Sequence, residues 1–327
     1  MADDDSTKIP REIQRAQDRR DEAAPSPPPS PAPPAGEAVQ AGDREQPVEL
    51  PAQHLVKPGR EAALDLAPRF EAPGYRGSGK LEGLAALVTG GDSGIGRAVA
   101  VLFAREGCDV AIAYQSADED EDARETARHV EAEGRRCVLL RGDVKDSRWC
   151  EQAVAHTVEQ LGRLDVLVNN AAFQAHANAL EDLDDRRVHE TLDTNVGGCI
   201  RMTRAALPHL KRGASVINTG SVTGLRGSAH LVDYAASKGA IHALTQSLAS
   251  QLLARGIRVN AVAPGPVWTP LNPADSPAEA VAVFGRQTDM KRAAQPEELS
   301  PAFVFLASPV CAGYITGIVL PVTGSVG

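Results

Sequence analysis

The 327-residue chain is 43% hydrophobic, enough for one large α/β domain or two small ones, and its formal net charge of -9 argues against nucleic acid or an anionic membrane as the main partner. Its five cysteines are widely spread and never form a C-x-x-C spacing, so neither a disulfide framework nor a zinc site is indicated. Because the chain begins without an apolar signal segment and has no run of about 18 apolar residues, we predict a soluble cytoplasmic protein whose partner is a small molecule.

Residues 1–75 differ in composition from the rest of the chain. They contain the charged stretch REIQRAQDRRDE and the proline run APSPPPSPAPPAG, which bury too little apolar surface to offset the entropy lost on ordering. We therefore predict a disordered N-terminal extension over these residues. A PxxP docking motif in polyproline II conformation is the alternative to a merely solvated extension.

From residue 84 onward, short apolar runs alternate with amphipathic stretches. Seven runs predict strands: LAALVTG, DVAIAY, CVLLRGDV, LDVLVNNA, ASVINTGS, IRVNAVAPG and GIVLPVTG. Strands buried on both faces, with helices between them, indicate a Rossmann-type doubly wound parallel sheet in one α/β domain of residues 76–327. Ligands bind such sheets beyond the carboxyl ends of the strands, where we expect the functional residues.

A glycine-rich stretch, TGGDSGIG, follows the first predicted strand. Gly90, Gly94 and Gly96 stand in a G-x-x-x-G-x-G spacing before a helix. Glycines let the backbone approach a diphosphate, and the helix N-terminus offers free N–H groups and a positive dipole end. An ordinary strand-to-helix turn is the alternative, but the place on the first strand favours a dinucleotide site.

The end of the second strand is expected to distinguish NAD from NADP. An acidic side chain there would bind the ribose hydroxyls of NAD, and an arginine would accept the extra phosphate of NADP. The sequence has Tyr114, Gln115 and Ser116, followed by an acidic run at 118–122. Because the strand tip lacks an acid, we favour NADP, with Ser116 and Gln115 as neutral phosphate contacts; the acidic run argues for NAD.

Tyr234 and Lys238 lie at i and i+4 of a predicted helix, so their polar ends project from one side. An ammonium close to a phenol lowers its pKa from about 10, as a general acid or base at neutral pH requires. A core tyrosine beside a lysine is the alternative explanation. Ser221, just past a predicted strand, and Asn195, in a helical stretch, add polar groups around the same pocket.

These motifs resemble the short-chain dehydrogenase/reductase family over about residues 84–325. The matching pieces are TGGDSGIG, GDV at 142–144, NNA at 169–171, Asn195, Ser221, YAASK and PGPVWT at 264–269. More narrowly, YRGSGKLEG and QPEELSPAFVFLAS resemble a bacterial branch labelled glucose or ribitol dehydrogenase-like, or aldehyde reductase-like.

The resemblance implies a catalytic set of four residues and no metal. Tyr234 would be the general acid/base, and Ser221 would hold the substrate oxygen. Lys238 would bind the nicotinamide ribose and lower the pKa of Tyr234, while Asn195 would anchor a water linked to Lys238. The implied cofactor contacts are Gly90, Ser93, Gly94, Ile95, Gly96, Tyr114, Ser116, Asp143, Val144, Asn169, Ala171, Tyr234, Lys238, Pro264, Gly265, Val267 and Thr269.

The substrate pocket is expected to depend on the region around 268–290, a lid that controls access. Its side chains Trp268, Leu271 and Phe284 form either an apolar wall for the substrate or packing onto the sheet. Gly220, where the family often has a second serine, is expected to enlarge the pocket. Phe173, Gln174 and His176 border it in this reading, with His176 disfavoured as a base because Tyr234 fills that role.

We therefore expect an NAD(P)-dependent oxidoreductase that transfers a hydride between a nicotinamide cofactor, NADP by preference or NAD, and a small aldehyde, ketone or sugar alcohol. A 3-oxoacyl-thioester reductase is the alternative within this class, disfavoured because the acidic chain suits an acidic carrier poorly. A dinucleotide-binding sensor or scaffold protein is the alternative of another class. The family resemblance also implies a homotetramer.

Overall fold

The computed structural model describes residues 6–23 and 37–324, and its centre is a parallel sheet of seven strands. In chain order the strands are β1 (Ala85–Thr89), β2 (Asp109–Tyr114), β3 (Cys137–Arg141), β4 (Val166–Asn169), β5 (Ser215–Thr219), β6 (Arg258–Pro264) and β7 (Val319–Val322). Their order across the sheet is β3-β2-β1-β4-β5-β6-β7. The predicted doubly wound parallel sheet is confirmed.

Helices connect and cover the strands. They are α1 (Lys8–Ala23), α2 (Gly94–Arg105), α3 (Asp120–Ala132), α4 (Ser147–Leu161), α5 (Asp185–Leu192), α6 (Gly198–Ala206), α7 (Thr223–Arg226), α8 (Val232–Leu252), α9 (Ala278–Ala282), α10 (Pro296–Ala307) and α11 (Pro309–Ala312). Local sequence sets their ends: Asp146 caps α4 by accepting from two backbone N–H groups, and Gly162, with a φ of 82°, ends it.

Two apolar layers hold the helices against the sheet. On one face, Phe103 of α2 and Phe303 of α10 are fully buried against β1 and its neighbours. On the other face, Val154 of α4 and Met202 of α6 are equally buried. Each such side chain contributes about 1.5–3 kcal/mol by leaving water. Burial on both faces explains why the central strands are largely apolar, whereas the edge strands β3 and β7 are only partly buried.

The order of the strands places the functional region. β1 lies between β2 and β4 at the centre of the sheet. From β1 the chain continues to β2 and β3 on one side, and it then crosses back to β4 on the other side. At such a switch point the connections diverge and leave a crevice beyond the carboxyl ends of the strands. The turns after β1, β4, β5 and β6 all open at this edge.

Contrary to the prediction of disorder, the N-terminal segment, residues 6–23 and 37–75, is ordered. Gln14 of α1 donates through Nε2 to the Leu55 carbonyl oxygen (2.7 Å) and to that of Ala274 (3.1 Å), and accepts from the Lys57 N–H. Trp268 Nε1 donates to the carbonyl of Leu66 at 2.9 Å. The composition argument counts only apolar burial, whereas this segment is fixed largely by hydrogen bonds and ion pairs to the domain.

The proline run falls within residues 24–36, so the predicted PxxP motif lies outside the described residues. Residues 1–5 and 325–327 lie outside them as well. Among the helices that the structure describes, none has the length and apolar character needed to cross a membrane.

Candidate active site

A cleft of about 540 Å³ opens at the carboxyl ends of the strands. Most of the predicted site residues line it: Gly90, Ser93, Gly94, Ile95, Tyr114, Asp143, Val144, Ala171, Ser221, Tyr234, Lys238, Pro264, Gly265, Val267 and Thr269. Four predicted residues, Gly96, Ser116, Asn169 and Asn195, do not line it. The sequence therefore locates the cleft, and the four exceptions have other contacts.

The phosphate loop, residues 90–96, needs its glycines. Gly90 and Gly94 have positive φ angles of 61° and 51°, which other residues rarely adopt. A Cβ atom at Gly94 would lie 2.9 Å from Thr269 Cγ2, and one at Gly96 would overlap the Gly90 carbonyl oxygen. This backbone cradle at the N-terminus of α2 fits a dinucleotide diphosphate. Gly96 itself serves the close packing of the loop.

The end of β2 differs from expectation because its neutral side chains are already paired. Gln115 Nε2 donates to the Ser6 carbonyl at 3.0 Å. Ser116 donates to the Glu119 carboxylate through both N–H (2.8 Å) and Oγ (3.2 Å). Glu119 lines the cleft, and burial raises its pKa to about 8; burial also raises the pKa of Asp92, another lining residue, to about 6. An acidic group thus stands near the strand tip, supplied by the run at 118–122.

Three residues of the predicted catalytic set meet at one wall of the cleft. Ser221 follows β5, and its hydroxyl hydrogen-bonds the phenol of Tyr234 in α8. Lys238 Nζ lies 5.3 Å from the centroid of the Tyr234 ring and donates to the Thr219 carbonyl oxygen at 2.8 Å. All three side chains are more than nine-tenths buried. The i, i+4 spacing on α8 therefore places the phenol and the ammonium side by side.

The predicted lowering of the Tyr234 pKa is not found in this arrangement. Burial raises the pKa of the phenol well above its usual value, and the hydrogen bond from Ser221 offsets only part of this effect. Burial also lowers the pKa of Lys238 to about 8. Desolvation is thus the largest effect on the phenol, the charge of Asp275 adds to it, and the phenol is held in its protonated form.

Asn195 positions a loop instead of lining the cleft. It lies in a π-helical turn, Asp193–Gly197, between α5 and α6. Its side chain accepts from the Phe173 N–H (2.7 Å) and donates to the Phe173 carbonyl (2.9 Å) and to Ser237 Oγ (3.0 Å). Both amide hydrogens are therefore donated to protein atoms. The water that the family resemblance implies between Asn195 and Lys238 would have to bind another atom of this turn. Phe173 packs on Ile13 of α1 and is not part of the cleft wall.

Asn169, the other asparagine outside the cleft lining, joins two strands to a helix. Its Nδ2 atom donates to Asn218 Oδ1 in β5 at 2.9 Å and to Thr203 Oγ1 in α6 at 3.0 Å. This contact agrees with the implied support of the central sheet.

Gly220 does not enlarge the pocket, because the imidazole of His242 fills the space beside it. A Cβ atom at Gly220 would overlap His242 Nε2, and one at Gly224 would lie 2.8 Å from His242 Cε1. Nε2 accepts a hydrogen bond from the Ser221 N–H at 3.4 Å, and the ring also bonds the Gly224 backbone. The imidazole thus bridges the two ends of the turn that carries Ser221.

The lid segment, residues 268–290, uses its three large apolar side chains in two ways. Trp268 is fully buried in a small cluster with Leu50 and does not line the cleft. Leu271 and Phe284 do line it. Each of the two alternatives from the sequence therefore holds for part of the set. Trp268 packs the lid segment onto the N-terminal segment, and Leu271 and Phe284 form an apolar wall of the cleft.

His176 is a structural residue and not a base in the cleft. Its Nδ1 atom lies 3.0 Å from Asp275 Oδ1 in the lid segment, and its Nε2 atom lies 2.9 Å from Asp21 Oδ2 in α1. Burial lowers its pKa, but the hydrogen bonds and charges of the two carboxylates reverse this, and the net pKa is raised. Gln174 borders the cleft as predicted and donates to Asp275 at 2.6 Å.

Three residues of the site region are not predicted from the sequence. Glu61, in the segment predicted to be disordered, accepts from the Gly94 N–H, and nothing in its local sequence indicates this. Glu119 belongs to the acidic run at 118–122, three residues beyond Ser116, where the sequence predicts the contact that distinguishes the two dinucleotides. His242 lies at i+8 from Tyr234 on α8, a spacing that could have signalled a shared helix face.

Within the described residues, no group of three or more His, Cys, Asp or Glu side chains could hold a metal ion.

Comparison with known proteins agrees with this architecture. Residues 90–325 match the family described as Enoyl-(Acyl carrier protein) reductase. General stress protein 39 of Bacillus subtilis is 48% identical over 279 residues, which cover 85% of this chain and 96% of that protein. The chain belongs to the short-chain dehydrogenase/reductase family.

Relatives and structural neighbours in this family carry names that bear on chemistry. The chain is 44% identical to NADPH-dependent aldehyde reductase 1 of Arabidopsis thaliana, covering 84% of this chain and 97% of that one, and 43% identical to glucose and ribitol dehydrogenase of Daucus carota, covering 84% and 95%. A short-chain dehydrogenase from Burkholderia cenocepacia in complex with NADP has a TM-score of 0.69 at 36% identity, covering 75% of this chain and 98% of that one. One from Mycobacterium paratuberculosis bound to NAD has a TM-score of 0.68 at 32% identity, with the same coverage. This chain is an oxidoreductase that depends on NADP or NAD.

Proposed function

We propose that this short-chain dehydrogenase/reductase reduces small aldehydes or ketones, or oxidises the corresponding alcohols including sugar alcohols, with Tyr234 as the general acid/base. The observation that carries the proposal is the contact between Ser221 and Tyr234, beside Lys238, at the wall of a cleft whose other end is the phosphate loop. A nicotinamide bound in this cleft supplies the hydride for reduction or accepts it in oxidation.

Tyr234 and Ser221 act on the oxygen atom of the substrate. In reduction the carbonyl carbon gains a hydride and the carbonyl oxygen gains a proton, so a donor must stand at that oxygen. Tyr234 donates this proton from its hydroxyl, while Ser221 holds the same oxygen by a hydrogen bond. Because burial raises the pKa of Tyr234, the phenol is protonated and can donate to the carbonyl oxygen in reduction.

Lys238 assists the phenolate that remains after proton transfer. Its ammonium lies 5.3 Å from the Tyr234 ring centroid, close enough to stabilise a negative phenolate in a buried site. The same group would bind the nicotinamide ribose. Because burial lowers its pKa to about 8, its charge falls as the pH rises through that value.

The lining of the cleft suits a small substrate. Leu231, Leu271 and Phe284 supply apolar surface, and Gln174 and Ser228 supply polar groups that could meet hydroxyls. The aldehyde reductase of Arabidopsis and the glucose and ribitol dehydrogenase of carrot support both substrate classes. The cytoplasmic location and the homotetramer stay predictions.

The test is oxidation of NADPH and NADH, followed by absorbance, against aldehydes, ketones and acetoacetyl thioesters, with glucose and ribitol oxidation in parallel. We expect Tyr234→Phe to lower kcat by roughly 10²–10⁴-fold. Tyr314→Phe, at a fully exposed position, is the matched control and should leave kcat unchanged. Turnover of thioesters alone would favour the alternative reductase. Dinucleotide binding without turnover of any substrate would favour a sensor or scaffold.

A further inference from the structure

The N-terminal segment contributes to the dinucleotide end of the cleft. Pro58 and Gly59 line it. A Cβ atom at Gly59 would lie 2.7 Å from Ala274 Cβ and 2.8 Å from the Pro270 carbonyl oxygen, so the segment is packed tightly against the lid segment. Residues 58–61 therefore run between the lid segment and the phosphate loop, and any molecule held by the loop meets this part of the chain.

Glu61 is fixed against the phosphate loop from both its backbone and its side chain. It begins a short 3₁₀ helix, Glu61–Ala63, whose first two N–H groups donate to the Asp122 carboxylate at 2.7 and 3.0 Å. Its own carboxylate accepts from the Gly94 N–H at 2.6 Å and from Arg97 Nη1 at 2.6 Å. The residue is only 4% exposed. A carboxylate of the N-terminal segment thus binds the helix terminus that favours anions.

The charges that face Glu61 are unbalanced. Arg97 is the cation, and it also lies 3.5 Å from the Asp122 carboxylate. Asp122 and Asp92 face the same carboxyl from α3 and the phosphate loop, and Glu119 is close to Asp92. Burial raises the pKa of Glu61 to about 7, Arg97 and the Gly94 N–H oppose this rise, and the two aspartates add to it. The cluster therefore already carries more carboxyl groups than its one guanidinium neutralises.

We propose that Glu61 is a determinant of dinucleotide affinity: the cofactor binds best when the Glu61 carboxyl is protonated, and the ionised carboxylate weakens binding. A diphosphate brings two negative charges to the N-terminus of α2, where Glu61 occupies the Gly94 N–H. Like charges in a buried site disfavour each other, so binding of the diphosphate is linked to uptake of a proton. This inference rests on the proposed function only in requiring a dinucleotide in the cleft.

The test is the Kd of NADH and NADPH for the full-length protein between pH 6.5 and 8.5, measured from the change in nicotinamide fluorescence. We expect the wild-type Kd to rise about tenfold over this range. Glu61→Gln keeps the size and an acceptor oxygen but cannot ionise. It should reduce the pH dependence, leaving only the part due to Lys238 and Glu119, whose pKa values lie near 8, and bind at least about fivefold more tightly than wild type at pH 8.5.

Glu297→Gln is the matched control. Glu297 is a buried carboxylate that also joins the domain to the N-terminal segment, through Arg44, Gln46 and the Ala72 N–H, but it does not line the cleft. It should keep the wild-type pH dependence. An unchanged pH dependence in Glu61→Gln, or weaker binding at both ends of the pH range, would overturn the proposal.

A second measurement needs no variant. Calorimetric titration of the wild type with NADH near pH 7, in two buffers of different ionisation enthalpy, should show net proton uptake, and its absence would also overturn the proposal. Both readouts are binding measurements. A protein that binds dinucleotide in this way but turns over no substrate would contradict the proposed function and leave the role of Glu61 standing.

Discussion

The imidazole of His242 occupies the space that a side chain at Gly220 would need. A Cβ atom at position 220 would overlap Nε2 of His242, the same atom that accepts from the Ser221 N–H at 3.4 Å. Because Ser221 contacts Tyr234, the pair of Gly220 and His242 sets the position of a residue proposed to hold the substrate oxygen. The imidazole at position 242 can therefore be accommodated only because position 220 has no side chain.

Gly220→Ser should push the imidazole away and displace Ser221, lowering kcat by about tenfold or more, since small displacements of reacting groups are costly. The double variant Gly220→Ser/His242→Val should recover part of the loss, because the smaller side chain frees the space but does not replace the hydrogen bonds of the imidazole to the turn. Steady-state kinetics will check both. Gly239→Ala, where an added Cβ would be 3.6 Å from its nearest neighbour, is the control. A double variant as slow as the single one would contradict the prediction.

His242 also predicts an acidic limit to activity. Burial, and then the charge of Lys238, lower its pKa below the usual histidine value, so the ring is neutral at physiological pH. When it is protonated, Nε2 becomes a donor facing the Ser221 N–H, and kcat should fall. Because the folded-state pKa is the lower one, the free energy of unfolding should also decrease as the pH falls through the histidine range. The pH profiles of kcat and of chemical unfolding, compared between wild type and His242→Asn, will show whether this limb disappears.

Glu119 predicts the balance between the two dinucleotides. Its carboxyl lies beside Ser116 at the end of β2 and lines the cleft where the adenosine ribose binds in such folds. Assayed at about pH 9, above the raised pKa of about 8, Glu119→Gln should remove a negative charge that disfavours the 2′-phosphate and shift the NADPH to NADH ratio of kcat/KM toward NADPH by about tenfold. Glu121→Gln, in the same run but largely exposed, should leave the ratio unchanged. A ratio that moves toward NADH would show that Glu119 has another role.

The contact of His176 with Asp21 predicts that α1 is held more firmly at low pH. Two carboxylates raise the pKa of His176 above its usual value in spite of burial, so the attraction is fully present below the usual histidine pKa and is lost as the pH rises through the raised value. Trypsin cleavage after Arg19 and Arg20 should therefore accelerate with rising pH.

Asp21→Asn should make this cleavage several-fold faster at low pH, because a charge-assisted hydrogen bond is worth about 1.5–3 kcal/mol. Asp18→Asn is the comparison variant, because the Asp18 carboxylate is paired with His54, at 3.5 Å, and is not a partner of His176. Cleavage that is equally fast at all pH values would contradict the prediction.

The sequence was sufficient to predict the sheet and the meeting of Ser221, Tyr234 and Lys238 at one wall of the cleft. Seven apolar runs predict the seven strands, and the i, i+4 spacing of Tyr234 and Lys238 fixes their relation once α8 forms. Such features depend on local periodicity, which a sequence displays directly.

The remaining features depend on contacts between distant parts of the chain. Glu61 meets Gly94 across 33 residues, and Gln14 meets Ala274 across 260. The effect of burial on the pKa of Tyr234 also requires knowing what surrounds it. Composition alone predicted disorder for residues 1–75 because it takes no account of polar contacts with a surface that is formed much later in the sequence.

The bonds from Gln14 to the carbonyls of Leu55 and Ala274 bear on the order of events during synthesis. A ribosome releases α1 first, yet its docking surface includes residue 274, so the helix must wait until most of the polypeptide has emerged. Contacts with so large a sequence separation form late in folding. Helix α1 is therefore made before the surface on which it docks, and the wall formed by Pro58 and Gly59 closes around a sheet that is already assembled.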